Sequence, residues 1–293
     1  MKKGILIFAL GHDNYYHMAE VLAASLICNK RANDGISIAV ICDDAEKFVH
    51  PSLFTQVITI PHSMFTVDGK IVFNHATTHV YELSPFDVTM KLDADIVWLP
   101  NRSPADLFHS LRDVNLTFEN TGFAPLAEVK QEGFVWANPL EVKKAYNLTG
   151  KEKAYSIFGE FLWFKKTEAI ENFFELVCKV YDSPKVACSA FANGSFTDEL
   201  AFQIASMITK RYPHIENFTP VFNIFLKKKN LLDRHAYQLP PNFYGYSIGG
   251  NQSTGWQKTQ YNILAQSYFK TLGLFNPYQA TNKKSFLPER LKL

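Results

Sequence analysis

The sequence predicts an α/β protein with parallel strands. Its first apolar run, Ile5–Leu10, is followed by the turn GHDN and by apolar residues at helical spacing from Tyr15 to Leu26. A second apolar run, ISIAVICDD, is rich in β-branched residues and ends in two aspartates. A strand, a turn, a helix and a second strand in this order form the unit from which parallel sheets are built.

Later elements follow in chain order. We predict a third strand at QVITIP, a short helix and turn at YELSPFD, and one continuous strand at VTMKLDADIVWL. A helix at PADLFHSLRD begins with Pro at a favoured first position. A strand at FGEFLWFKK precedes two helices whose N-caps are Thr167 and Thr197. Beyond Pro213 the pattern loosens, which predicts a less regular C-terminal part.

Composition sets limits on the class of protein. The 293 residues are 47% hydrophobic and 20% charged, which suits one large globular domain. A net charge of +2 is too weak to indicate nucleic-acid binding by itself. The four cysteines lack CxxC spacing and stand among apolar residues, so we expect buried free thiols.

The N-terminus resembles the start of a signal peptide. Its apolar run, Ile5–Leu10, is shorter than the roughly 7–15 residues of a signal core, and no small-residue cleavage site precedes Asp13. No stretch approaches the roughly 18 apolar residues of a membrane span. We therefore expect a cytoplasmic protein.

The stretch TMKLDADIVWLP carries two aspartates inside an apolar run. In a strand, Asp93 and Asp95 share one face, and two such close carboxylates resist ionisation unless a cation lies between them. Mg²⁺ and Mn²⁺ prefer carboxylate oxygens and keep positions open for phosphates. The pair predicts a metal that binds a diphosphate, and the alternative is a pair of turn or cap aspartates.

Three polar segments come at the predicted carboxyl ends of strands. They are the turn GHDN, the pair Asp43–Asp44 and the pair Asp93–Asp95. In open α/β sheets, ligands bind outside the carboxyl ends of the strands. The pattern therefore predicts a pocket at which these three segments meet.

The segment KLDADIVWLPNRSPADLF resembles the D-x-D region of metal-dependent GT-A glycosyltransferases, nearest to glycogenin-like and related phage or bacterial enzymes. The resemblance covers Ile5 to about Ile208, and further segments match in order: LGHDNYYHMAEVLAASL, YELSPFDVTMKLDAD, FGEFLWFKKTEAIENFFELV and FTDELAFQIA. It implies one GT-A (Rossmann-like) domain over 1–293, with a mixed, mostly parallel sheet and helices on both faces. Residues 1–112 would bind nucleotide-sugar and metal, and 113–293 the acceptor.

The resemblance also implies roles for individual residues. The predicted donor-site residues are Ala9, Gly11 and Tyr15 along the nucleotide, Tyr15 or Tyr16 near the base, Asp43 at the base or ribose, Lys91 near phosphate, and Asp93 and Asp95 on the metal. For the tyrosines the alternative is packing at a helix start. For Asp43 it is an ordinary strand-end turn, and for Lys91 a solvated lysine.

The third metal ligand departs from the family pattern. Many relatives supply a histidine from an H-x-x-G-x-x-K-type segment, but the nearest segment here, FYGYSIGGNQSTGWQK, contains none. The candidates are Tyr246, Ser247 or Asn251 in that segment and His235 upstream of it. Gly249 and Gly250 expose backbone N–H groups and are a candidate phosphate-facing loop, or only a turn.

On the acceptor side the resemblance points to Asp198, directly after the cap Thr197. It would orient the acceptor hydroxyl or, in an inverting enzyme, remove its proton. The alternative is stabilisation of the helix macrodipole.

These features predict a hexosyl- or pentosyltransferase that moves a sugar from a nucleotide-sugar, most simply a UDP-sugar, to an acceptor hydroxyl, with Mn²⁺ or Mg²⁺ as cofactor. We expect a saccharide or glycoconjugate acceptor and the cytoplasm of a bacterium or of a phage-infected host cell. Some phage relatives are thought to glycosylate hydroxymethylated pyrimidines, and the lysine runs at 227–229 and near the C-terminus keep DNA as an alternative acceptor.

Other classes stay open. A D-x-D-x-V string also begins the signature of haloacid-dehalogenase phosphatases, but three predicted strands precede it here and no paired aspartates follow it. A sugar nucleotidyltransferase needs a Gly-rich basic loop after its first strand, which ALGHDNYY does not supply. A catalytically inactive nucleotide-sugar-binding protein would explain the missing histidine.

Overall fold

The computed structural model describes residues 1–31, 34–67, 70–130, 136–188, 196–222, 243–249 and 255–279. The chain forms two compact units, each assembled from three segments. We call one the Asp95 unit; it comprises Gly4–Thr59, Leu92–Asp113 and Thr219–Leu293. We call the other the Asp198 unit; it comprises Met1–Lys3, Ile60–Lys91 and Val114–Phe218.

The described strands are β1 Lys3–Ala9, β2 Ile36–Cys42, β3 Gln56–Thr59, β4 Thr66–Val67, β5 Lys70–Ile71, β6 Val88–Leu92, β7 Ile96–Trp98, β8 Leu116–Pro125, β9 Lys153–Lys165, β10 Val221–Phe222 and β11 Gly245–Ser247. The described helices are α1 Asp13–Asn29, α2 Phe73–Thr78, α3 Val80–Leu83, α4 Pro104–Ser110, α5 Pro139–Ala145, α6 Glu168–Asp182, α7 Asp198–Thr209 and α8 Gly255–Thr271.

The Asp95 unit contains strands in the order β3-β2-β1, with β2 and β3 parallel from the pair Ala39–Gln56 to the pair Cys42–Thr59. A second, three-stranded sheet has the order β10-β11-β7, in which β11 pairs parallel to β10 and antiparallel to β7. Helix α1 packs against β7 and α8. Most of its residues from Tyr16 to Leu26 are buried, and most of these are apolar.

The Asp198 unit contains strands in the order β6-β9-β8, with β8 and β9 antiparallel. The register shifts between Phe118 and Glu119, so the chain bulges at the facing stretch of β9. Helices α6 and α7 pack together over an aromatic core. The core rings in contact are Phe118, Phe173, Phe174 and Phe202.

The α/β class is confirmed, as are both predicted caps. The Thr167 side chain accepts from the Ile170 N–H, and the Thr197 hydroxyl accepts from the Leu200 N–H at 3.1 Å. The strand predicted across VTMKLDADIVWL is wrong, because the chain turns after Leu92 and resumes as β7 at Ile96. The single-domain organisation with its division near residue 112 stays a prediction.

Among the described residues beyond Pro213, the sequence failed to predict α8, a helix of 17 residues. The expectation of free thiols holds for all four cysteines, but only Cys42 and Cys188 are buried, and Cys28 and Cys178 are half-buried. Within the part of the chain that the structure describes, no helix has both the length and the apolar character needed to cross a bilayer.

Candidate functional site

The loop after β1 is tied to the end of β2 through one carboxylate. Ala9 ends β1 fully buried, and Gly11 follows with a positive φ of 75° that favours glycine. The Gly11 N–H donates to Asp43 Oδ1 at 2.8 Å. The Tyr16 hydroxyl donates to the same oxygen. The structure thus brings together three residues that the sequence predicts as donor-site residues.

Asp43 is held as an ionised carboxylate. Burial raises its pKa, but the hydrogen bonds from the Tyr16 hydroxyl and the Gly11 N–H outweigh that effect and leave the pKa below its ordinary value. The Tyr16 hydroxyl also accepts from the Asp44 N–H at 3.1 Å. Because the Tyr16 ring is fully buried, it has no open face for a base, and Tyr16 acts as a positioning residue for Asp43.

The D-x-D pair lies in a turn and not on a strand face. The Asp93 carbonyl accepts from the Ile96 N–H at 3.4 Å, which closes the turn. The Asp95 carbonyl accepts from the Ile248 N–H at 3.2 Å, because β11 pairs with β7 immediately after the turn. The argument from alternating strand faces therefore fails, although one short turn still presents both carboxylates.

Ser247 holds Asp95. Its hydroxyl is fully buried and donates to Asp95 Oδ1 at 3.3 Å. The Gly249 N–H donates to the same Ser247 oxygen at 3.0 Å. Ser247 therefore orients the carboxylate, and the Gly249 amide is directed to Ser247, so neither placement supports the predicted ligand and phosphate roles. Tyr246 stacks on Phe222 at 5.7 Å in the core.

Three further candidates were predicted in or upstream of this segment. Gly250, Asn251 and His235 lie outside the described residues.

Tyr15 lies in the electrostatic field of both aspartates. Burial raises its pKa to about 12, with smaller contributions from the negative charges of Asp95 and Asp93. The ring is half-buried, unlike that of Tyr16. Because the interaction between two charges weakens with distance, this effect indicates that Tyr15 lies close to the turn that carries Asp93 and Asp95. The prediction of a base-side tyrosine therefore rests with Tyr15.

Two tyrosines near this turn, and one buried lysine on the same helix as the first of them, were not predicted from the sequence. Tyr261 on α8 and Tyr278 after it both have pKa values raised by burial and then by other charges that include Asp95. Lys258 on α8 is almost fully buried, and burial lowers the pKa of its ammonium. The only signal was that Lys258 ends the H-x-x-G-x-x-K-type segment.

The chemistry of the turn suits a hard divalent cation in part. Asp93 and Asp95 offer carboxylate oxygens, the ligands that Mg²⁺ and Mn²⁺ prefer. Across the described residues no group of three His, Cys, Asp or Glu side chains is arranged to hold a metal. A cation bound here would take two carboxylates from these residues and complete its shell with water and phosphate oxygens.

Lys91 belongs to the Asp198 unit, whereas Asp93 and Asp95 belong to the Asp95 unit. Its Nζ is buried and donates to the Gly159 carbonyl at 2.7 Å, at the bulge of β9. Lys91 shares no strand face with the aspartates, because β6 ends at Leu92 before the turn. The structure gives this ammonium an internal structural contact.

Asp198 begins α7 and is buried, with 9% of its surface exposed. Its Oδ2 accepts from the Thr77 hydroxyl at 2.6 Å. A small pocket, with a volume of about 10 Å³ that suits one water molecule, is lined by Thr77, Lys91, Phe118, Phe158 and Asp198, among other residues of this unit. Asp198 thus combines a helix N-terminal position with access to a pocket.

Glu199, next in the chain, has both carboxylate oxygens engaged. Oε1 accepts from the Gly159 N–H at 3.1 Å, and Oε2 accepts from the Trp136 indole N–H at 2.7 Å. These contacts connect α7 to β9 and to the start of the 136–188 segment. These contacts explain the presence of Glu199 by its role in the fold. For Asp198, the bond from Thr77 explains one of its two carboxylate oxygens.

Comparisons with known proteins support the fold. No family model and no curated protein matches the sequence. A galactosyltransferase LgtC structure with donor and acceptor sugar analogues matches at 15% identity and a TM-score of 0.55, over 98% of each chain. A structure of an active-site mutant of LgtC matches at 15% identity and a TM-score of 0.57, over 90% of this chain and 95% of that one.

The bifunctional glycosyltransferase WbbM matches at 13% identity and a TM-score of 0.56. The alignment covers 92% of this chain and 51% of WbbM, so this chain spans about half the length of that protein. At these identities the structural likeness establishes the GT-A fold that the sequence predicts. The chemistry has to be argued from the residues of this chain.

Proposed function

We propose that this chain is a metal-dependent glycosyltransferase that transfers a sugar from a nucleotide-sugar to an acceptor hydroxyl. One observation carries the proposal: within the Asp95 unit, the ends of β1 and β2 are tied through Gly11 and Asp43, and Tyr15 on the following helix lies in the field of Asp93 and Asp95. Polar groups at strand ends are where α/β proteins bind ligands.

The residues divide the work of donor binding. Asp43 is held ionised by Tyr16 and Gly11, and it can accept hydrogen bonds from the hydroxyls of the ribose or from the N–H groups of the base. Tyr15 offers a half-buried ring for the base. Asp93 and Asp95 would hold Mn²⁺ or Mg²⁺, which when bound supplies Lewis-acid stabilisation of the leaving diphosphate. Ser247 keeps Asp95 in one orientation for that purpose.

The donor is proposed to be a UDP-sugar, with the sugar a hexose or a pentose. The support is the resemblance of the D-x-D segment together with the placement of Asp43 and Tyr15. The buried ammonium of Lys258 in the same unit is a candidate counter-charge for the diphosphate, since burial lowers its pKa and an anion would restore it.

The acceptor is proposed to be a saccharide or a glycoconjugate, with Asp198 as the carboxylate that orients its hydroxyl. Asp198 lines a pocket of its own unit, and the Thr77 hydroxyl fixes one of its oxygens. DNA gains no specific support. Lys227–Lys229 lie outside the described residues, and Lys166 donates to the Ser84 carbonyl at 2.7 Å.

Titration calorimetry tests the donor site. We expect UDP to bind in the presence of Mn²⁺ and to lose its affinity in excess EDTA, with weaker binding of GDP, CDP and ADP. Hydrolysis of UDP-sugars in the absence of an acceptor then distinguishes an enzyme from an inactive binding protein. Hydrolysis of simple phosphomonoesters without nucleotide selectivity would instead favour the phosphatase alternative and contradict the proposal.

The acceptor is tested separately by transfer of radiolabelled sugar. Saccharide acceptors and hydroxymethylated duplex DNA are compared across a salt series. Because each neutralised phosphate adds a slope of about 0.9 in log affinity against log salt, a DNA enzyme would bind with steep salt dependence. Salt-sensitive DNA binding with transfer would replace the saccharide acceptor, and no DNA binding at low salt would exclude DNA.

A further inference from the structure

The chain doubles back after α8 and returns along that helix. Gly273 follows the helix with a positive φ of 69°, and the Leu274 N–H donates to the Phe269 carbonyl at 2.9 Å. The His50 ring then bonds the Phe275 carbonyl through Nε2 at 2.7 Å. As a result the Tyr278 ring meets Tyr261 of α8 edge-on, with centroids 6.0 Å apart and planes at 88°.

The two tyrosine hydroxyls are buried at this meeting point. Tyr261 is fully buried and Tyr278 is 5% exposed. Among the described residues neither hydroxyl has a hydrogen-bond partner. A buried hydroxyl without a partner is costly, so its presence calls for an explanation.

A third tyrosine of α8 shows the contrast. The Tyr268 hydroxyl donates to the Trp98 carbonyl at 2.8 Å and accepts from the Asn29 side-chain amide at 3.2 Å. Its polar group is fully used by the protein. Tyr261 lies seven residues earlier on nearly the same face of the helix.

Contacts with α1 place Tyr261 toward the start of β7. Helix α1 runs in the same direction as β7, because the Trp98 N–H donates to Ser25 and the Asn101 N–H donates to Asn29. Tyr268 contacts Asn29 near the end of α1, whereas the returning segment passes His50, whose N–H donates to Glu20 earlier on α1, before Tyr278 reaches Tyr261. The negative charge of Asp95 contributes to the raised pKa values of both Tyr261 and Tyr278, as a neighbouring carboxylate does. The tyrosine pair therefore stands beside Asp95.

We infer that the Tyr261 and Tyr278 hydroxyls are outer donors to the Asp95 carboxylate, which they orient when it holds a divalent cation. This inference rests on the proposed function and adds two positioning residues to it. A carboxylate that ligates a metal keeps further lone pairs, and hydrogen bonds to them fix the ligand geometry. Ser247 supplies one such bond to Oδ1, and the tyrosine hydroxyls would supply further ones when the cation is bound.

The test compares three Tyr→Phe variants, each of which removes only a hydroxyl. Mn²⁺ affinity in the presence of UDP is measured by calorimetry, and the melting temperature is measured on metal-free protein. We expect Tyr278→Phe and Tyr261→Phe to weaken Mn²⁺ binding by about 10- to 100-fold, as outer-shell substitutions do. Their metal-free melting temperatures should not fall, since neither loses a hydrogen bond made in the metal-free protein.

Tyr268→Phe is the matched control. It should melt at a lower temperature, because it loses two hydrogen bonds, and should keep the Mn²⁺ affinity of the wild type. Wild-type affinity in both Tyr278→Phe and Tyr261→Phe would overturn the inference alone. Failure of the wild-type protein to bind Mn²⁺ with UDP, GDP, CDP or ADP would refute the proposed function itself, and this inference with it.

Discussion

The two units treat their buried carboxylates in different ways. In the Asp198 unit, Glu152 accepts from Thr149 and Gly150, and Glu199 accepts from Gly159 and Trp136. In the Asp95 unit, Asp93 and Asp95 lie in an irregular turn, with a long serine bond to Asp95 at 3.3 Å. Two nearby tyrosine hydroxyls there have no partner among the described residues.

This difference in hydrogen bonding distinguishes carboxylates that stabilise the fold from carboxylates that suit ligand binding. A carboxylate whose two oxygens both accept hydrogen bonds from its own protein, as in Glu152 and Glu199, stabilises the fold and needs no ligand. Carboxylates grouped in a turn beside unused donors suit a site that a cation completes. Substitutions in the two units should therefore have opposite effects: loss of function with little loss of stability near Asp95, and loss of stability at Glu152.

The largest expected effect is at the metal-binding turn. Asp95→Ala, and likewise Asp93→Ala, should abolish transfer and Mn²⁺-dependent UDP binding, because each removes a proposed cation ligand. The metal-free variants should stay folded, which a cooperative thermal transition checks. Transfer rates and calorimetry with and without EDTA measure the effect.

Asp113→Ala provides the control within the same unit, since its carboxylate is 88% exposed and pairs only with the neighbouring Arg112 in the described contacts. It should keep wild-type activity. Undiminished turnover in Asp95→Ala, or in wild-type protein under excess chelator, would contradict the proposed role of this turn as a metal site.

Asp198 belongs to the unit with the structural carboxylates, but it has two explanations: stabilisation of the helix start and orientation of the acceptor. Asp198→Asn keeps the shape and the bond to Thr77 but removes the charge. If the carboxylate serves the acceptor, transfer should fall by about 100-fold or more while UDP binding stays unchanged. Single-turnover transfer and UDP calorimetry separate the two quantities.

Thr197→Ala is the matched variant for the structural explanation. It removes the cap bond to the Leu200 N–H and should cost about 1 kcal/mol of unfolding free energy with little effect on turnover. An Asp198→Asn variant that behaves in the same way, losing stability and keeping transfer, would assign Asp198 to helix capping.

At Glu152 the expected effect is on stability and not on transfer. Glu152→Gln should lower the free energy of unfolding by about 1–2 kcal/mol at pH 7, because a carboxamide offers one acceptor oxygen where the carboxylate offers two. Burial raises the pKa of Glu152, but the hydrogen bonds from Thr149 and Gly150 prevail and lower it to about 2. Urea unfolding across pH measures the effect.

The pH dependence gives this prediction its sign. The unfolded chain takes up the proton near pH 4.5, before the folded protein does, so the stabilisation by Glu152 declines as the pH falls from about 4.5 to about 2. The difference between the wild type and Glu152→Gln should shrink over that interval. Glu141→Gln, on the exposed surface, should change stability by less than about 0.5 kcal/mol at any pH.

Helices with strong periodicity were predictable from the sequence. Helix α6 runs from Glu168 to Asp182 after its cap Thr167, as its spacing of buried Ile and Phe residues indicates. Helix α8 was not predictable. Its apolar residues are diluted by Gln, Asn, Ser and Thr, and most of its buried face consists of tyrosines and one lysine, which an apolar pattern does not identify.

The sequence by itself determined the α/β class, the helix caps and the two aspartates as a candidate metal pair, because these depend on local periodicity and on residue chemistry. Only the tertiary structure decided that the pair lies in a turn, since β11 pairs with the chain directly after Asp95. It alone separated Tyr15 from Tyr16 and brought Tyr278 beside Tyr261. Pairing partners and burial depend on contacts between distant segments, which local sequence patterns do not encode.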